Sequence, residues 1–304
     1  MSPRSEGEGK SVREEGVRDG VRARLSRDPR VVAVRSGVAQ GWIELRQSFS
    51  NPGELVSHFL WPVLLLIALF FLRDRSFGGF QLGALVLPSM VGMNAAMGMV
   101  SMSQQLTADR EDGTLLRAKA IPNGMLGYLV GKVVSVAGGL LADLAILLVP
   151  GLLLVDGLTV GGSWITLVWV LLLGLVATLP LGAVLGSVFT STRAQGLIQL
   201  PVLGLIAISG IFYPITALPG WVQGIAQVFP IYWLGLGMRS AFLPDSFVGV
   251  EIGDSWRQLE TVGVLGAWAV VGLLVAPVVL RRMARRESGS AVADRRERAL
   301  QRIG

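Results

Sequence analysis

The sequence predicts an all-α integral membrane protein with six transmembrane helices, and three observations predict it. Mean hydropathy is +0.59, and 52% of the 304 residues are hydrophobic. Six apolar runs approach or exceed the roughly 18 residues that cross a bilayer. Lys and Arg are concentrated in alternate connections between those runs, as the positive-inside rule requires.

The elements follow in chain order. Residues 1–37 are rich in Arg, Glu, Gly and Ser with little apolar periodicity, and read as a largely disordered cytoplasmic arm. From Val38 the character changes. Val38, Trp42, Leu45 and Phe49 recur at helical spacing with Glu44, Arg46 and Gln47 between them, which suits a helix in the cytoplasmic interface. An ordinary amphipathic linker is the plainer alternative. Asn51-Pro52 then turns the chain into the bilayer.

The apolar runs are 55–72, 81–102, 125–154, 164–189, 194–212 and 262–280, within a membrane domain of residues 38–281. Residues 282–304 form a charged cytoplasmic tail. The first run follows more than fifty mostly polar residues and lacks a small-residue cleavage site, so it reads as a retained span. Run 125–154 is too long for a perpendicular crossing and must tilt or begin in the interface. Gly127 with Gly131, and Gly182 with Gly186, have the four-residue spacing that permits close helix approach.

Twenty-two Lys and Arg fall in the two termini, the loop after the second run and the connection after the fourth. The other face carries four: Arg73, Arg75, Arg239 and Arg257, with Lys132 left inside the third run. Both termini are therefore expected to be cytoplasmic, and the net charge of +6 reflects this asymmetry. The basic residues lie on a mixed-sign tail next to a span, which argues against a nucleic-acid partner. Zero Cys excludes disulfides, thiolate metal sites and cysteine nucleophiles. One His, no H-E-x-x-H and no G-x-S-x-G leave no catalytic triad or zinc site to assemble, so neither catalytic nor metal residues are assigned.

Between the fifth and sixth runs, residues 213–245 are apolar and aromatic but broken by Pro214, Pro219, Pro230 and Pro244. Pro219-Gly220 opens a short helix, Trp221 to Val228, and Pro230 ends it. A pair of short helices dipping into the outer leaflet is expected, with Arg239 near its end. An extra full span is the alternative.

Residues 108–122, ADREDGTLLRAKAIP, place six charged side chains between two long apolar runs. Each would cost roughly 3 kcal/mol at the bilayer centre, so the stretch lies in water or against another protein. Asp109 can cap a helix start, Asp112 favours its exposed N–H groups, and Pro122 stops it. Leu115, Leu116 and Ala120 form an apolar ridge beside Arg117 and Lys119. That pattern suits docking into a partner's groove, and a solvated loop explains it equally well.

Asp143 is the sharpest polar anomaly, since a mid-span carboxylate is a functional hypothesis by default. It could serve a proton-coupled carrier, or be paired and structural, because no second embedded acid, base or His is evident beside it. Asn94, Gln195 and Gln199 read as interhelical hydrogen-bonding residues or as lining of a substrate pathway. His58, at the cytoplasmic entrance of the first span, reads as structural.

REDGTLLRAKAIPNGMLGYLVGKVV resembles the signature loop of type-2 ATP-binding-cassette exporter permeases: acids, Gly-Thr, a Leu-Leu-Arg helix, a Pro, then Gly-Lys. SGIFYPITALPGWVQGIAQVFPIYWLGLGMRSAF resembles the same family's second signature. The resemblance runs from about residue 42 to 281 and is nearest the short bacterial drug-export type. It implies a non-catalytic permease in the cell membrane, pairing with a second copy or a homologous permease. It also implies two copies of a separate ATPase, which hold the ATP and magnesium. Carried over, Glu111, Asp112, Gly113, Thr114, Leu115, Leu116 and Arg117 would form the coupling helix that receives the ATPase's movement. The hairpin of Pro214, Pro219, Trp221, Pro230 and Arg239 would close the exit side. The cargo would be an amphiphilic drug, lipid or similar compound moved outward through the bilayer. GYLVGKV, near 127–133, is not a phosphate loop, because its first Gly is misplaced and Val133 replaces the magnesium-binding Ser or Thr.

Overall fold

A computed structural model describes residues 28–77, 80–155, 163–188 and 192–286. Helix α1 is Pro29–Ser48, capped by the Asp28 side chain, and α2 is Pro52–Leu72, capped by Asn51. A two-residue ladder, β1 Ser76–Phe77 with β2 Phe80–Gln81, leads into α3, Leu82–Glu111. Then come α4, Thr114–Lys119, α5, Gly124–Leu154, α6, Trp164–Val188, and α7, Thr192–Ile208. Two short helices, α8 Gly220–Val228 and α9 Pro230–Phe242, precede α10, Gln258–Arg286.

Among the described residues, five helices are long and apolar enough to cross a membrane: α2, α3, α5, α6 and the Gln258–Met283 part of α10. Where the fifth span was expected, at 194–212, the chain forms α7, which has only 17 residues and ends at Ile208. At 1.5 Å per residue that is about 26 Å, short of the roughly 30 Å hydrocarbon layer. The chain leaves the helix at Ser209 and turns through Gly210, whose φ of +70° suits glycine.

Helix α3 is the axis of the bundle. Most of its length is enclosed by protein, whereas α2 and α10 turn broad apolar faces outward. Its neighbour α6 presses closest through small residues. A Cβ on Gly182 of α6 would lie 2.3 Å from the Met99 carbonyl oxygen, and one on Gly186 2.8 Å from that of Ser103. The four-residue glycine spacing noted in α6 thus works as a close helix seam.

The first element differs most from expectation. Helix α1 begins at Pro29, not Val38, so the stretch 29–37, taken as part of a disordered arm, is helical. Its buried residues are Ala33, Gly37 and Gly41, while Val38 and Trp42 face outward. A Cβ on Gly37 would lie 2.2 Å from the Gly127 carbonyl, and one on Gly41 equally close to that of Gly131. Leu45 meets Gly138. This ascending register means α1 runs lengthwise along the first half of α5. Helix α5 has 31 residues, or about 46 Å, so its lower turns extend beyond a hydrocarbon layer and α1 accompanies them.

Helices α8 and α9 form the expected pair of short elements, separated by extended Phe229 and restarted by Pro230 at a first-turn position. The second is not an exposed leaflet helix. Every residue of α9 except Ser240 is buried, packed against α3, α6 and α10.

Candidate functional site

The charged stretch forms a compact turn at one end of α3. The helix continues through Asp109 to Glu111, so Asp109 caps nothing. Gly113, at φ +82°, makes the break, and Asp112 Oδ1 accepts the Thr114 N–H at 2.8 Å to start α4. Leu115 is 1% exposed and packs with Met102, Leu106, Leu140, Leu280 and Met283. Leu116 and Glu111 are half-buried. Outward stand Arg117, Lys119, Ala120 and Ile121, the last 63% exposed. The expected ridge is therefore split: Leu115 seats α4 in its own bundle, and Ile121 is the large apolar side chain that faces outward.

Above α4 lies an ionic junction that the loop alone did not reveal. Lys132 of α5 reaches Asp109 Oδ2 of α3 at 2.8 Å and Glu44 Oε2 of α1 at 3.1 Å. The Tyr128 hydroxyl donates to the same Asp109 oxygen at 2.7 Å. Arg110 donates to the Ser187 carbonyl of α6 at 3.3 Å. Three helices thus converge on one buried ammonium, close to the start of α4. The signal was Lys132 itself, a cation inside an apolar run that had to find carboxylates.

A second polar cluster lies about three turns further along α5. Asp143 Oδ1 is 2.5 Å from His58 Nδ1, and His58 Nε2 is 2.8 Å from Ser48 Oγ. Phe49 stacks on the imidazole at 4.4 Å. The expectation that no base lies near Asp143 is corrected: positions 85 residues apart in sequence meet here. The pair borders a cavity of about 70 Å³ whose walls include Ser101, Gln105 and Ser135. Of the other pathway candidates, Asn94 is half-buried on α3 and does not line this cavity. Gln199 is exposed on α7, and the Gln195 side chain lies outside the described residues. Of Asn94, Asp143 and Gln199, only Asp143 lines the cavity.

At the opposite end, Arg239 is 2% exposed, not a surface charge. Its guanidinium donates to both carboxylate oxygens of Glu251, at 2.6 and 3.2 Å, and also to Ser89 Oγ and the Gly210 carbonyl. Pro214 and Pro230 are buried, Pro219 is exposed, and Trp221 is 72% exposed. Trp268 Nε1 donates to the Val228 carbonyl, and Arg257 donates to Gln227 at 2.6 Å, tying α8 to α10. Glu251 went unnoticed because nothing in its local sequence marks it as a buried counter-ion.

A central helix wrapped by long apolar helices, with a charged turn at one end and a proline-broken cap at the other, defines a multi-pass membrane protein. Over residues 66–277, more than two thirds of the chain, the sequence matches the model of the family described as "ABC-2 family transporter protein". The chain belongs to that family and is a permease of the ABC-2 type. Such a permease is a membrane subunit, typically non-catalytic, and membership implies a partnering ABC ATPase. A search of curated proteins gives no match.

Proposed function

We propose that this chain is the membrane-spanning subunit of an exporter that moves an amphiphilic drug, lipid or similar compound outward, driven by ATP hydrolysed on two copies of a separate ATPase. A second permease, the same chain or a homologue, completes the channel in the cell membrane, and α7 with its following turn serves as the sixth crossing. Both termini and α4 then face the cytoplasm. The observation that carries this reading is the geometry of α4. It is rooted by buried Leu115, turns Arg117, Lys119 and Ile121 outward, and sits close to the Asp109–Lys132–Glu44 junction.

In this mechanism the ATPase holds the outward side of residues 111–117 and Ile121. A push on α4 passes into α3 through the Gly113 turn, and into α5 and α1 through Lys132. The bundle is too closely packed at the Met99–Gly182 seam to deform gradually, so α3 and α6 move together. The Arg239–Glu251 pair holds the exit cap shut between strokes. Family membership favours ATP as the drive over a proton-coupled carrier using Asp143.

The test is reconstitution with the partner ATPase in lipid vesicles. Export should continue when the proton gradient is collapsed with ATP present, and stop when the ATPase is inactivated. Export that follows the proton gradient alone would refute the assignment.

A further inference from the structure

We propose that the outward face of α7, centred on Gln199, is where a second copy of this chain docks. This rests on the reading that a second permease completes the channel and that α7 is a crossing. It adds the surface, the residue that glues it and the identity of the partner.

The first observation is a carboxamide that faces the wrong solvent. The central turns of the other crossings turn apolar side chains outward: Leu64 and Ile67 on α2, Leu172 on α6, Leu274 on α10. Lipid covers such faces well. Gln199 breaks the pattern. It is exposed at the eighth position of the 17-residue helix α7, about 10 Å from the helix start and so within the hydrocarbon layer of a crossing. No hydrogen bond joins it to the described residues. Hydrocarbon offers an amide no partner, so such a side chain is stable there only against another polar group.

The second observation is room. Helix α7 packs chiefly on α3, α8 and α9, and buries Val202 and Ile206. Its outward face carries Gly196, Leu200, Leu203 and Gly204 beside Gln199. A Cβ added at Gly196 or Gly204 would meet nothing within 4 Å, whereas one at Gly37, Gly41 or Gly182 would strike a backbone carbonyl. The inner glycines already make close seams. Those of α7 lie two turns apart with open space before them, and that leaves a helix from outside free to approach closely at the level of Gln199.

The third observation is self-complementarity. An interface around a two-fold axis sets a surface against its own copy. A glutamine side chain has both N–H donors and a carbonyl acceptor, so two Gln199 side chains satisfy each other, as two like charges at that place could not. Polar side chains of this kind hold membrane helices together. A second copy of the chain therefore supplies the missing partner with no further residue required.

A sequence without cysteine allows each position to be probed singly. In membranes holding the full-length protein, Leu200→Cys and Leu203→Cys, both of which keep Gln199, are oxidised with copper phenanthroline. Non-reducing gels should show a disulfide-linked dimer from each. Leu172→Cys on α6 and Leu274→Cys on α10, the latter position as exposed as Leu200 at 68%, are the controls. They should give at least about tenfold less dimer, because only a docked face holds two thiols at high effective concentration. Adding Gln199→Leu to Leu203→Cys should lower the dimer severalfold, and Gln199→Asn, which keeps a carboxamide, should preserve most of it. Three results would overturn the proposal: equal cross-linking from the controls, a full dimer yield with Gln199→Leu, or no dimer from either α7 position although its thiol reacts with maleimide after solubilisation. In the last case, labelling of the same thiol by a membrane-impermeant reagent before solubilisation would assign the face to a water-lined passage instead. Neither ATPase nor cargo is needed here. Cross-linking can succeed where reconstituted export fails, and the reverse, so the docking face and the exporter reading fall separately.

Discussion

The two ends of the bundle bury charge in opposite ways. At the cap, Arg239 and Glu251 lie twelve residues apart, each side chain 3% exposed, in a bidentate pair. At the base, Lys132 is similarly enclosed, but its partners come from two other helices, and the Glu44 side chain remains 29% exposed. The cap pair closes a local loop and fixes one rigid shape. The base junction spans α1, α3 and α5, so any movement of one is felt by the others. A closed lock at one end and a shared joint at the other is consistent with the proposed drive from the base.

That contrast can be broken most sharply at the cap. Arg239→Ala leaves Glu251 buried without its partner and should cost about 3–5 kcal/mol, read as a large fall in thermal unfolding temperature in nanodiscs. Replacing both residues with Leu should recover most of the loss. Recovery failing would mean that the pair does more than neutralise itself.

The base should respond less steeply. Gly37→Ala puts a methyl against the Gly127 carbonyl, which is backbone and cannot yield cheaply, so about 1–3 kcal/mol is expected. The more telling readout is limited proteolysis, which should cut α1 readily once it lifts from α5. Lys132→Met should cost toward the lower end of about 1–3 kcal/mol, because Asp109 and Glu44 keep some access to water. Its effect on transport per ATP should exceed its effect on stability. Equal losses in both would reduce the junction to a structural tie.

Smallest in stability, and informative for that reason, is Ile121→Ser. An exposed change of this kind should alter folding by no more than about 0.5 kcal/mol. Substrate-stimulated ATP hydrolysis should nonetheless fall severalfold. Unchanged stimulation would remove Ile121 from the docking surface.

Hydropathy made the long helices legible because each must cover a bilayer, and that constraint is written in length and composition alone. The helix pair at residues 220–242 was legible too, since Pro219 and Pro230 punctuate it. Its burial was not. Arg239 reads as a surface charge until Glu251, beyond Pro244, is seen to meet it, and pairing across a turn leaves no periodic trace. Likewise Asp143 could not announce His58 on another helix. The glycine seam was half visible: Gly127 and Gly131 have the spacing, but Gly37 and Gly41 belong to a helix whose outward residues, Val38 and Trp42, dominated its pattern. At 194–212, composition suggested one unbroken helix, whereas the helix ends at Ile208 and the chain turns through Gly210, a break that local hydropathy does not mark.

The central claim is that α4 meets the ATPase, and the absence of native cysteine allows a clean measurement. Ile121→Cys and, separately, Trp221→Cys would be introduced and treated with a short thiol cross-linker in membranes containing the partner ATPase with surface cysteines. Cross-linking of the ATPase through position 121 and none through position 221 is the result predicted. Cross-linking through 221 with none through 121 would contradict the account.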